Sequence, residues 1–484
     1  MMGFFQQSLI YGLGQLAVQL VGFLIYPILT NDRFFSVEDF GIWNILAPTM
    51  TIMTIIYSGG LSTGFFKFFI NTESPDQRYS AFHSSMFIVA VFGVITTMIT
   101  LPVLALGLRA SGSSIQWPYF ALAMVTAFAN AVIGICLAVY RAQGRAKQFV
   151  AINSLRFVLM SLLIAIGVII FQGGLWGLLI AYSASATLVG IYLTVKTFAG
   201  FQKTAIQKNL RSKILKFSLP LMPTQLAGWI LSVSDKFLIG ILLGVTEVGL
   251  YSAGYQIALV TNAFFIGPFS LAWGPFMFRE GVKTDGPLKI ARLLEMYTII
   301  GGIFVTPLIF LGPEIIAFLN GNITYVPSYR VIPPVALGYL FFGYYLFYST
   351  GLNLTNRTVY FPIITGSVGI LNITLNLILL PRWGYVAAAW VTLISYFTLF
   401  IIMKISTAKL YHIPIKKLTL IGIWGILFGP VLGGSYWVQS TDYPINFAWK
   451  LIMIFIIWFV LIFSSDLTRT RLLMMLNFGV RKVE

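Results

Sequence analysis

Carboxylates, cysteines and histidines are all scarce in this chain. Among 484 residues there are 14 Asp and Glu, one Cys and two His, and charged residues make up 9% of the whole. Soluble domains carry about 25% charge, so an ordinary water-facing surface is excluded. The lone Cys136 lies inside an apolar run, which excludes a disulfide framework. His83 and His412 are far apart and join no cysteine or carboxylate cluster, so no metal set is expected. Neither a G-x-x-x-x-G-K-[ST] loop nor a G-x-S-x-G elbow occurs, and Gly59-Gly60 reads as a bend or packing site. An ATP-driven pump would lack its nucleotide site, so any transport must draw on an ion gradient, a substrate gradient or the membrane potential. The start, MMGFFQQSLIYGLGQ, has no basic n-region and no A-x-A-like site, so no cleavable signal peptide is expected.

What is present is hydrocarbon. The chain is 58% hydrophobic with a mean hydropathy of +0.89. Outer-membrane strands would alternate over about ten residues, whereas the apolar runs here last roughly twenty, enough to cross a bilayer as helices. The expected class is an all-α integral membrane protein with about fourteen transmembrane helices. The runs fall at roughly 8–29, 41–62, 81–106, 118–139, 150–171, 175–195, 217–243, 249–271, 293–312, 331–353, 359–380, 386–405, 418–438 and 447–465.

An even number of spans puts both termini on one side. Of the 31 basic residues, Arg33, Arg109, Arg330, Arg382 and Lys450 fall on the opposite side, and Arg156 and Lys236 fall inside spans. All the others lie in segments on the terminal side. The positive-inside rule therefore places both termini in the cytoplasm. This topology accounts for the net charge of +17 without a nucleic-acid partner. The basic segment 196–216 reads either as an amphipathic helix on anionic headgroups or as a basic tether.

A weak repeat appears at an offset of about 210 residues. Gln15-Leu16 falls on Gln225-Leu226, Asp39-Phe40-Gly41-Ile42-Trp43 on Glu247-Val248-Gly249-Leu250-Tyr251, Arg145 on Arg357, and Ser185 on Ser395. An even number of helices per repeat gives two parallel, pseudo-symmetric six-helix lobes. The expected division is 1–195 for the first lobe, 196–216 for a basic linker, 217–405 for the second lobe, and 406–484 for two further helices and a tail.

Several stretches resemble the polysaccharide-transporter flippases, which include the O-antigen flippases. They are SLIYGLGQLAVQLVGFLIYPILT, VEDFGIW, YRAQGRAKQF, SLPLMPTQLAGWILSVSDKFLIG, GVTEVGLYSAG and WGYVAAAWVTLISY. That family belongs to the multidrug/oligosaccharidyl-lipid/polysaccharide exporter superfamily, and the resemblance covers nearly the whole chain. It implies a MATE-like fold and export of a polyprenyl-pyrophosphate-linked oligosaccharide by alternating access. The implied partners are that lipid-linked glycan, membrane lipids and other polysaccharide assembly proteins. No cofactor is implied, and the coupling ion, H+ or Na+, stays open.

Candidate site residues come from polarity inside the spans. On 217–243, Gln225, Gly228, Ser232 and Asp235 share one helical face, with Lys236 at its edge. On 8–29, Ser8, Gly12, Gln15, Gln19 and Gly22 repeat the pattern. Such faces line a wet cavity or pack tightly through small residues. Charges inside a span are costly and mark function by default. Asp235 and Lys236 point about 100° apart, so each is expected to have a partner elsewhere, in a substrate site or a structural ion pair. Arg156, with Asn153 a turn earlier, could hold a pyrophosphate bidentately or snorkel to the headgroups. The resemblance adds Lys67, where the family often carries a basic residue; anchoring by positive charge is the other reading. Two further functions compete. A cation-coupled multidrug exporter would want more intramembrane acids, and a membrane glycosyltransferase or polymerase would want a catalytic loop longer than 313–330.

Overall fold

The computed structural model describes residues 25–61, 65, 68–69, 74–111, 115–201, 208–219, 222–320, 323–355, 357, 359–414 and 443–463. Every regular element among them is helical. In chain order these are α1 (Val37–Ser58), α2 (Pro75–Ser111), α3 (Trp117–Ala142), α4 (Ala146–Ile164), α5 (Gly174–Ala199), α6 (Lys208–Ser218), α7 (Met222–Leu242) and α8 (Val245–Thr261). They are followed by α9 (Gly267–Glu280), α10 (Gly286–Phe310), α11 (Gly312–Asn320), α12 (Ile332–Tyr348), α13 (Thr350–Leu354), α14 (Tyr360–Trp383), α15 (Val386–Thr407) and α16 (Tyr443–Phe463). π turns extend α4 over Ala165–Ile170 and join α8 to α9 over Asn262–Ile266.

The protein is a multi-pass membrane protein. Ten of its described helical segments are long and apolar enough to cross a membrane, and the expected spans 217–243 and 447–465 fall on α7 and α16. Residues 8–24 and 418–438 lie outside the described residues. The packing is that of a lipid-solvated bundle, with large apolar side chains facing outwards: on α2, Met98 is 72% and Leu106 67% exposed. Threonine hydroxyls inside the spans turn back on their own helix. Thr49 donates to the Ile45 carbonyl at 2.8 Å and Thr126 to that of Leu122 at 2.8 Å, as a medium without water requires.

Two compact units form, Met1–Gly249 and Leu250–Glu484. In the first, α3 is the hub, touching α1, α2 and α5, while α7 lies against α1. Local sequence sets the entry of α1: Ser36 Oγ accepts from the Asp39 N–H at 3.0 Å, and Asp39 Oδ2 accepts from the Ser36 N–H at 3.1 Å. This is a reciprocal capping box. Ser36→Ala should lower stability by about 1 kcal/mol, read as a lower apparent Tm of the purified protein. Left-handed Gly59 ends the helix. The tight turn foreseen between 217–243 and 249–271 is made at Gly244, whose φ of +106° an L side chain would resist.

In the second unit α12 is the hub, touching α10 and α15, and α14 packs on α15. Its centre is aromatic: Tyr297, Tyr344, Phe347 and Trp273 interlock with ring centroids 4.5–5.8 Å apart. The segment 313–330, read from sequence as a loop, is helical instead, as α11 followed by a 3-10 turn over Ile323–Val331. Its Glu314, in α11, binds Lys450 Nζ of α16 at 2.5 Å, both largely buried. The basic segment 196–216 splits, α5 running to Ala199 and α6 covering Lys208–Ser218 against α2 with Ile214 fully buried.

Candidate functional site

The first unit holds a polar cluster deep in its apolar helices. Asp235 and Lys236 of α7 are 4% and 8% exposed. The Lys236 ammonium donates to Asn44 Oδ1 of α1 at 2.9 Å, and the Lys236 N–H donates to Asp235 Oδ1 at 2.8 Å. Asn44 is fixed at its other end, its Nδ2 donating to the Phe40 carbonyl at 2.9 Å. A helix proline lies one turn on. Pro48 has no N–H to give the Asn44 carbonyl, so the ladder of α1 is interrupted there. The carbonyl of Pro48 itself accepts from the Trp229 indole of α7 at 3.1 Å.

Arg156 forms the second pole. From α4 its Nη2 donates to Asn130 Oδ1 of α3 at 2.5 Å, and Tyr182 of α5 lies within electrostatic reach. The Tyr182 ring packs on Trp43 of α1 with centroids 4.6 Å apart. Neighbouring residues of α1 therefore serve both poles, Trp43 through Tyr182 and Asn44 through Lys236. Across the cluster two cations stand against one carboxylate. The Asn130 amide orients the Arg156 guanidinium and the Asn44 amide orients the Lys236 ammonium, and a cation held by neutral acceptors can exchange them for an anion.

The remaining candidates fall out differently. Ser232 turns its hydroxyl back on the Gly228 and Trp229 carbonyls at 3.0 Å each. Asn153 turns its amide back on Phe149 at 2.9 Å. Gln225 is half-buried on the same helix as Lys236. Gln15, Gln19 and Lys67 lie outside the described residues. No group of three or more His, Cys, Asp or Glu able to hold a metal occurs among the described residues. Sequence reading missed Asn44, Asn130 and Tyr182; the one signal was Asn44 standing four residues before a helix proline.

A second feature adjoins the Lys236 pole. A Cβ on Gly41 of α1 would lie 2.0 Å from the Val245 carbonyl oxygen, and one on Gly249 of α8 would lie 2.3 Å from that of Val37. Only glycine allows this approach. Gly41 and Gly249 are also the two residues that the repeat aligns with each other.

A family model described as "Polysaccharide biosynthesis protein" matches residues 4–280, more than half the chain. The chain belongs to that family. An uncharacterized membrane protein of Methanocaldococcus jannaschii, MJ1375, is 26% identical over 391 residues, covering 75% of this chain and 89% of the relative. Among solved structures, the lipid II flippase MurJ in an inward closed conformation superposes with a TM-score of 0.77 at 14% identity, over 97% of this chain and all of that one. An inward-facing multidrug resistance MATE family transporter of the MOP superfamily gives 0.66 at 13% identity, over 82% and 98%. These likenesses show a MurJ-like, MATE-like fold.

Proposed function

We propose that this member of the polysaccharide biosynthesis family is a flippase. It moves a polyprenyl-pyrophosphate-linked oligosaccharide, an O-antigen, capsule or exopolysaccharide repeat unit, across the cytoplasmic membrane by alternating access, with both termini in the cytoplasm. The carrying observation is the two cations held among the apolar helices of the first unit, buried Lys236 and half-buried Arg156, in a medium where charge is costly. A pyrophosphate head reaching them would take hydrogen bonds now given to Asn130 and Asn44, exchanging neutral acceptors for charged ones, which bind more strongly. The lipid tail would stay in the bilayer. Lobe 1–195 would move against lobe 217–405, with α1 parting from α7 and the start of α8 at Gly41 and Gly249.

Arg156→Ala should lower export of the lipid-linked glycan roughly 10–100-fold at unchanged protein level, since a hydrogen bond to a charged group is worth about 1.5–3 kcal/mol. Arg156→Lys should recover part of it, because an ammonium keeps the charge and loses the two-pronged geometry. Surface glycan quantified beside a blot of the protein reads both, and full export by Arg156→Ala contradicts the assignment.

A second reading, a cation-coupled multidrug exporter, is favoured by the MATE-like fold and by Asp235. It makes the opposite demand: Asp235→Asn would abolish drug efflux and Arg156→Ala would spare it.

A further inference from the structure

A groove of about 400 Å³ opens on the outer face of the first unit. Met86 and Ala90 of α2, Val125 and Phe128 of α3, and Gly190 and Val195 of α5 line it, and the lining is almost wholly apolar. The small residues Ala90 and Gly190 make the hollow, and Val125 and Val195 leave it open to the surrounding lipid. Its size is within the range of ligand sites, roughly 300–1,000 Å³.

One end of the groove is cationic. The start of α2 and the end of α5 share a membrane face, so Met86 and Val195 mark the same end. Lys196 follows directly, its ammonium steadied by the Tyr192 hydroxyl at 3.1 Å. Arg211 of α6 lies flat over the Phe87 ring, 3.6 Å from its centroid. Its Nε is buried without a hydrogen-bond partner, and no ion pair to it occurs among the described residues. Two cations at one end of a hydrocarbon groove, half-buried Arg211 and exposed Lys196, match one kind of molecule, an amphiphile with an anionic oxygen-rich head.

We propose that this groove binds an anionic phospholipid, one acyl chain lying along α2, α3 and α5 and the phosphate meeting Arg211 and Lys196. The lipid is drawn from the leaflet that faces the basic residues, where each Lys or Arg near the surface adds attraction. Because α6 leads into α7, a lipid held there pins the segment that enters the Lys236 helix. The site shares no residue with the Lys236–Asn44 or Arg156–Asn130 pairs, so its failure and the failure of the flippase reading are separable.

The test is lipid retention by the full-length protein in detergent, measured by native mass spectrometry with phosphatidylglycerol and phosphatidylcholine as probes. Wild type should retain phosphatidylglycerol roughly fivefold over phosphatidylcholine. Arg211→Gln should remove that preference. Ala90→Trp, which fills the groove at an exposed position, should lower retention of both lipids with an unchanged Tm. Equal retention of the two lipids by wild type, or an undiminished preference in Arg211→Gln, overturns the proposal. Displacement of the phosphatidylglycerol by added polyprenyl phosphate overturns it as well, since the occupant would then be the transported class of lipid.

Discussion

Lys236→Met is expected to reduce glycan export at least about 100-fold, because truncating one side of a buried, hydrogen-bonded charge costs about 3 kcal/mol and each 1.4 kcal/mol is a factor of ten. The substitution keeps a long unbranched side chain and removes the ammonium that donates to Asn44. It therefore also strands Asn44 Oδ1 in an apolar bundle, at a cost of about 1–3 kcal/mol in stability. The two effects separate in the double variant Lys236→Met with Asn44→Leu. Removing both partners should restore the Tm of the purified protein and leave export absent. Recovery of export along with Tm would mean that the pair is only structural.

The second large effect belongs to the glycine contact. Leucine at Gly249 cannot be accommodated where a Cβ already falls 2.3 Å from the Val37 carbonyl oxygen, so α1 and α8 must move apart. If their contact is the closed outer gate, Gly249→Leu holds it open and export falls at least about tenfold, more than 1.4 kcal/mol. A labelling experiment reads the state directly, and the chain suits it because Cys136 is buried. With buried Val248→Cys as the reporter, a membrane-impermeant maleimide added outside should label the Gly249→Leu background and leave the Gly249 background unlabelled. Equal labelling in the two would remove the contact from the transport cycle.

Much of the fold could be read in advance because a bilayer enforces it. Apolar runs of about twenty residues must be helices, and those at 118–139, 175–195 and 386–405 correspond to α3, α5 and α15. The segment 313–330 holds no such run, and the ion-pair partner of its Glu314, Lys450, lies more than a hundred residues downstream. Within the site, the charges inside spans at 156, 235 and 236 stood out by their cost in lipid, whereas their partners did not. Asn44 and Asn130 are neutral residues within apolar helices, and nothing in local spacing joins them to cations 192 and 26 residues away. The repeat aligned Gly41 with Gly249, and the reason for glycine at both places became visible only as a backbone approach.

The measurement that bears most directly on the central claim is flipping by the purified protein in proteoliposomes. A polyprenyl-pyrophosphate-linked oligosaccharide with a fluorescent sugar is placed in both leaflets, and its exposure to an impermeant quencher is followed over time. Wild type should carry the label between leaflets, while Arg156→Ala and Lys236→Met should match protein-free vesicles. Wild-type vesicles that leave the labelled lipid in place under ion gradients of either direction, or variants as active as wild type, would contradict the account.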